Sequence, residues 1–433
     1  MKKLIVISVM FALISGAVFA QTAEGIIVNA WGRGAFSPLQ VEFPAWENGK
    51  AVKDSEVQLY AGKGTTWGTD AIRVDFRMLG NSPWIGFGFN ATVESDALAG
   101  NDDAAFIWAK PFNNEYLKIK IGMFIEDELR GKFGGLNNTF HRWVLPGIKE
   151  EDDIFSRFSS SNMGHLNSSH LPTNGGVLLT SKPIPNLFLG LMFNGNINKT
   201  SAIDSYRYMQ AAVGYNFTDY GIHARAQYIG GFAGSYSAKD IKDIDNDGST
   251  GFNANNPSRI ETAFAITAIP GFLIDLGGKI WLPIEQEGGV KSNNGISAAL
   301  GLLYIIDDIG INFRVDAGNF GAYDRDNKDN KLEDSVTFDV RLNPYYVLDF
   351  ATVGGLFGLN MKTNSIDKEG KEAKDGTFQV GFGGYIQKGL GKGSIKAGVT
   401  YMVAPLTRGG LSGGAASGRD LLSIPIILEY AFF

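Results

Sequence analysis

From Ala71 to Leu79 the chain alternates with a period of two. Ile72, Val74, Phe76 and Met78 are apolar, and Arg73, Asp75 and Arg77 between them are charged. Tyr116–Phe124 repeats the pattern, with Leu117, Ile119, Ile121 and Met123 set against Lys118, Lys120 and Gly122. The same period runs through Ile222–Tyr228, Ile311–Ala317, Val336–Leu342 and Ile395–Tyr401. Successive side chains of a strand point to opposite faces, so each segment predicts a strand with one oily and one polar face. Two packed sheets also alternate. Ladders of Arg and Lys opposite continuous apolar faces, over this many strands, fit a face turned to lipid better.

Turn signals give the connections. Short ones fall at Gly80–Pro83, Phe112–Asn114, Pro183–Pro185, Thr218–Asp219, Pro270–Gly271, Asp307–Asp308, Asn343–Pro344 and Gly389–Gly391. Longer polar stretches alternate with them, around residues 94–102, 126–174, 196–205, 231–257, 285–293, 320–334, 362–375 and 405–420. Alternating short and long connections are those of a transmembrane antiparallel β-barrel, an all-β fold with tight turns on one side of the membrane and loops on the other. The eight short turns join sixteen strands. A first strand near Ile26–Ala35 and a closing strand from Leu421 bring the expectation to about eighteen, with sixteen as the alternative. Residues 36–69 and 126–174 each have room for a further hairpin.

Composition and termini agree. After the amino-terminal stretch no segment approaches the roughly 18 continuous apolar residues of a spanning helix. Glycine is abundant at 56 residues and phenylalanine numbers 30, as suits side chains alternating between lipid and water. Residues 1–20 pair two lysines with an apolar centre and end on Val18-Phe19-Ala20, which predicts a secretory signal cleaved before Gln21. Residues 21–433 would then form a single barrel domain with an inserted loop at 126–174. With no cysteine, disulfides, lipoprotein attachment and thiolate metal sites are excluded.

The chain ends LLSIPIILEYAFF, which places Leu422, Ile424, Ile426, Leu428, Tyr430 and Phe432 on one face. This end resembles the carboxyl-terminal strand of bacterial outer-membrane β-barrels, which finishes on an aromatic residue. It departs in having Tyr430 three residues before Phe433, where the family's pattern usually places the aromatic two before. Trp84, Phe87, Trp281, Tyr430 and Phe432 are candidates for the aromatic girdles at the membrane boundary. The resemblance implies a location in the outer membrane, in contact with its lipid.

A barrel of this size is too wide for its own side chains to fill and leaves an aqueous channel. On the six clearest strands the inward set holds eight bases, Arg73, Arg77, Lys118, Lys120, Arg225, Arg314, Arg341 and Lys396. Only three acids, Asp75, Asp316 and Asp339, accompany them. The chain as a whole carries a net charge of −6, so acid concentrates in the loops and base in the wall. Basic rings in a pore favour anions. The alternative is that wall bases pair with wall acids and stiffen the barrel.

Residues 126–174 hold His141, His165 and His170, Trp143, and the bases Arg130, Lys132, Arg142 and Arg157. This long third loop resembles that of general and substrate-selective porins, in which it folds inward and narrows the channel. The resemblance implies a diffusion pore for small hydrophilic solutes, with those four bases at the constriction, and association into trimers. A loop that stays outside is the alternative. Asp243, Asp245 and Asp247 match the opening of a calcium loop, but the twelfth position is Ala254 rather than a bidentate glutamate. A solvated acidic loop explains them better. Nothing in the pattern calls for a cofactor, a nucleic acid or a catalytic group. The rival readings are a surface-displayed barrel acting as adhesin or antigen, and a transporter of hydrophobic compounds.

Overall fold

The computed structural model describes residues 25–47, 50–61, 72–94, 104–130, 169–170, 176–194, 209–230, 258–282, 294–321, 335–366, 373–407 and 420–432. The chain opens on β1 (Ile26–Glu42), a small hairpin of β2 (Ala45–Glu47) and β3 (Lys50–Lys53), and β4 (Glu56–Ala61). Then follow β5 (Ile72–Asn81), β6 (Ile85–Glu94), β7 (Ala104–Ala109) and β8 (Lys118–Glu126), which runs straight into one helical turn, α1 (Asp127–Arg130). After the two-residue β9 (Ser169–His170) come β10 (Gly176–Ser181), β11 (Leu187–Asn194), β12 (Gln210–Phe217) and β13 (Ile222–Ile229). Next are β14 (Ser258–Ile266), β15 (Phe272–Leu282), β16 (Asn294–Ile306) and β17 (Ile309–Gly321). The chain finishes with β18 (Ser335–Val347), β19 (Thr352–Ile366), β20 (Ala373–Leu390), β21 (Gly393–Thr407), β22 (Leu421–Ser423) and β23 (Ile426–Phe432).

Neighbours in sequence pair antiparallel, and the two ends of the sheet meet. One edge of β1 pairs with β5, from Ile26 opposite Gly80 to Gly34 opposite Ile72. Its other edge pairs with β23, from Ala30 opposite Phe432 to Phe36 opposite Ile426. The sheet is therefore a closed barrel, in which β1 and β23 leave no open edge where the two ends meet. Among the described residues the sheet counts 21 strand segments, above the expected figure of about eighteen. The surplus has local causes. β4 replaces β5 as partner of the second half of β1, from Phe36 to Glu42. β9 adds a short pairing at the end of β8. The closing strand breaks around Pro425, which lacks a backbone N–H, into β22 and β23.

Eight short connections lie on one edge, joining β5 to β6, β7 to β8, β10 to β11, β12 to β13, β14 to β15, β16 to β17, β18 to β19 and β20 to β21. At Pro270–Gly271 the Phe272 N–H donates to the Ile269 carbonyl at 3.0 Å, and Gly271 has φ +76°. That is the left-handed position a tight Pro-Gly turn requires. Asn343–Pro344 is not a turn but lies inside β18, and the reversal comes at residues 348–351, where the Leu348 N–H donates to the Ala351 carbonyl at 2.7 Å. Pro344 has no N–H for the ladder, and Asn343 Nδ2 donates instead to the Gly355 carbonyl of β19 at 2.7 Å.

The faces are inverted relative to a soluble protein. Outward Ile121 is 58% exposed, whereas Lys120 beside it is 6% exposed. Ile107, Ile296, Phe382 and Leu428 stand open on the outside, while Glu261, Lys279, Arg314 and Asp339 are buried on the inside. An apolar exterior around a polar interior, with its backbone hydrogen bonds closed into a ring, is the build of a barrel that spans the bacterial outer membrane. Trp84, Phe112, Tyr116, Tyr220 and Phe350 are exposed at the short connections, and Tyr430 stands beside that edge opposite Gly393. Trp281 departs from the girdle expectation: it alternates with outward Ile280 and shares the inward face of Lys279. The side chain of Phe432 and residues 1–20 lie outside the described residues.

Candidate solute pathway along the inner wall

The alternation read from the sequence aims Lys118 and Lys120 of β8 inward, about 7 Å apart along the strand. On β7 the inward residues are Phe106 and Trp108, and their rings underlie the ammonium groups. Lys118 Nζ is 5.5 Å from the centroid of Trp108, and Lys120 Nζ is 4.8 Å from that of Phe106. Each ring offers its electron-rich face to a cation.

α1 settles where the long third loop begins. β8 pairs directly with β10, from Gly122 opposite Gly176 to Lys118 opposite Thr180, so the chain from Asp127 onward is an insertion at this one connection. α1 lies on the inner wall. Its Glu128 Oε1 accepts hydrogen bonds from Lys118 Nζ at 2.6 Å and Lys120 Nζ at 2.9 Å. The Glu128 carbonyl oxygen accepts one from Arg225 Nη2 of β13 at 3.3 Å. Leu129 is 1% exposed and packs among Leu178 of β10, Met192 of β11 and Ala212 of β12, with Phe106 and Phe188 at its sides. Burial of a leucine stabilises such a contact by about 1.5–3 kcal/mol.

The wall makes room for these contacts with glycines. A Cβ on Gly190 would fall 2.3 Å from Leu129 Cδ2. Gly214 of β12 sits in register between Phe188 of β11 and Arg225 of β13. The Arg225 side chain crosses that glycine and lays its guanidinium 3.9 Å from the Phe188 centroid.

Arg314 and Arg341 sit among acids. Arg314 of β17 forks onto Asp316 two residues on, with Nη2 to Oδ1 at 2.6 Å. Arg341 of β18 stands opposite Arg314, and Asp339 stands opposite Asp316, so two like-charged rows run side by side. Asn360 of β19 donates to Asp339. Arg77 of β5 is exposed, and Lys396 of β21 lies opposite Gln387. Arg73 stands opposite Arg33 and Glu94, and its side chain lies outside the described residues.

One group of wall charges escaped the sequence reading. Glu261 of β14 accepts from Arg259 Nε at 2.6 Å, lies 3.3 Å from Lys279 Nζ of β15, and accepts a further bond from Gln227 of β13. Asp275 of β15 and Glu429 of β23 also face inward, and Glu429 accepts from Trp31 Nε1 at 3.2 Å. The basic excess of the wall is therefore smaller than the six clearest strands suggest. The Arg130 side chain, Lys132, Arg142, Arg157, His141, His165 and Trp143 lie outside the described residues, as do the His170 side chain and Asp243, Asp245 and Asp247. Among the described residues no cluster of three or more His, Asp or Glu side chains is placed to hold a metal ion.

The chain matches no protein-family model and no curated protein. Among solved structures it is similar to an anion-selective porin from Comamonas acidovorans, with 12% identity, 94% of this chain and 100% of that chain covered, and a TM-score of 0.47. It is also similar to OmpF of Salmonella typhi in complex with daunomycin, at 12% identity, 94% and 97% coverage and a TM-score of 0.46. The outer-membrane channel DcaP of Acinetobacter baumannii follows at 13% identity, 95% and 99% coverage and a TM-score of 0.43.

Proposed function

We propose that this chain is an outer-membrane porin, a passive diffusion channel for small hydrophilic solutes, and not an enzyme. The observation that carries the reading is the inversion of the wall. Charged and amide side chains line the inside of a closed ring of strands, and aliphatic side chains cover the outside. A hydrophobic-compound transporter would need a greasy lumen, against which the Lys, Arg, Asp and Glu rows of β8, β13, β14, β17 and β18 argue.

The channel prefers anions mildly. Arg73, Arg77, Lys118, Lys120, Arg225, Arg314, Arg341 and Lys396 bias the wall, and carboxylates that lie against Lys118, Lys120 and Arg314 keep the bias mild. The third loop narrows the lumen from the side of β7 to β13, where α1 is seated, with Arg130, Lys132, Arg142 and Arg157 near the narrowing. Residues 1–20 are removed on export, and three copies associate in the membrane.

Purified protein reconstituted in a planar bilayer tests this. Stable conductance steps and a reversal potential toward the anion side in a salt gradient are expected. Silent bilayers containing folded protein would refute the channel, and a reversal potential on the cation side would refute the preference.

A further inference from the structure

Glu128 and Leu129 together look like a ligand that the chain carries with it. The carboxylate is bound by two ammonium groups through a single oxygen, at 2.6 and 2.9 Å. The adjacent leucine fills an apolar recess built from β10, β11 and β12. Phe106 belongs to both halves, lying under Lys120 Nζ and packing against Leu129. All the receiving groups belong to strands of the closed wall, whose backbone pairing does not involve α1. The described part of the occupant, by contrast, is one helical turn, Asp127–Arg130. A single helical turn has little stability of its own in water, and the contacts of Glu128 and Leu129 hold this one. The Glu128 side chain is 36% exposed against 8% for Lys120, so the occupant faces the water and its receptor lies behind it.

We propose that Lys118, Lys120 and the Phe106–Leu178–Met192 recess form a binding site for small carboxylates bearing an apolar group directly beside the carboxylate. Glu128 and Leu129 occupy this site as an internal competitor that the permeating acid displaces. Two cations on aromatic faces select the carboxylate, and the recess selects the hydrocarbon. The proposal builds on the channel reading and names a solute class for it.

The test uses the full-length protein with hexanoate, benzoate and acetate as probes. Single-channel current through the wild type should be interrupted by hexanoate and benzoate, and acetate should need a concentration at least ~10-fold higher. Glu128→Gln should lower the half-blocking concentration of hexanoate roughly tenfold, and Lys118→Gln with Lys120→Gln should abolish the block. Lys118→Gln alone serves if the double variant does not fold, as judged by heat-modifiable electrophoretic mobility. Equal block by acetate and hexanoate, or a Glu128→Gln channel that blocks like the wild type, would overturn the proposal. If the wild type conducts no current, the channel reading fails and calorimetric titration of hexanoate into detergent-solubilised protein decides the site alone. Heat that vanishes in the lysine variant then supports it, and absence of heat in both wild type and Glu128→Gln refutes it.

Discussion

Gly190 of β11 lies directly beneath Leu129 of α1, so close that a Cβ at position 190 would come within 2.3 Å of Leu129 Cδ2. Gly190→Ala should therefore unseat Leu129 and leave the barrel closed, because the backbone pairing of β10, β11 and β12 does not depend on that side chain. Loss of a buried leucine weakens the anchor by about 1.5–3 kcal/mol. Single-channel conductance should rise or fluctuate between levels, while the variant keeps its folded electrophoretic mobility. An unchanged, steady conductance would show that α1 does not narrow the path.

Leu300 stands at the middle of β16, on the outward face, opposite Leu276 and Val315 of the neighbouring strands. It is 39% exposed. At the surface of a water-soluble sheet, Leu300→Arg would change stability by no more than about 0.5 kcal/mol. On a lipid-facing wall near the bilayer midplane it should cost about 2–4 kcal/mol. Equilibrium unfolding from lipid vesicles separates the two cases, and a neutral result would take the apolar exterior out of the membrane.

Where the wall was legible in the sequence, polar and apolar positions alternated cleanly, as in Lys118-Ile119-Lys120-Ile121. β14 was opaque for a physical reason. Its inward Ala263 and Ala265 are as apolar as its outward Phe264 and Ile266, and the period-two signal fades even though Arg259 and Glu261 on the same face are charged. Pro344 read as a turn because proline ends most strands. The Asn343 amide donates to Gly355, where the proline cannot, and that compensation involves a residue of another strand. The seat of α1 was likewise invisible, since Leu178, Met192 and Ala212 come from three strands far along the chain. Trp281 was assigned to a girdle by residue type alone, although the alternation with Lys279 placed it inward.

On the short-turn edge, Glu115 bridges two connections. It pairs with Lys110 of its own turn and lies 3.6 Å from Lys182 in the next. The hydrogen bond from Lys110 holds its carboxyl below the usual glutamate range, with the charge of Lys182 adding to the effect against a desolvation penalty. A carboxyl depressed in the folded state stabilises above its unfolded pKa of about 4.3 and loses that contribution as pH falls through the lower folded value. Wild type should thus melt slightly higher than Glu115→Gln at neutral pH, with the gap closing in acid. The side chains are half exposed, so the difference should be small. A gap that persists in acid would assign it to something other than this ionisation.

Glu128 also sets the charge of the path. Its carboxylate lies against Lys118 and Lys120, so the three groups together carry one net positive charge instead of two. Glu128→Gln keeps the shape and removes the negative charge. The lysines then lose the charge of Glu128, and in a salt gradient the reversal potential should move further toward the anion side. Lys120→Gln should move it the opposite way, because the remaining lysine is then matched by the carboxylate. The difference between the two variants should shrink as ionic strength rises and screening shortens to a few ångströms. Coincident reversal potentials for both variants at low salt would mean that ions do not pass this wall, and that the path runs along the opposite side of the barrel.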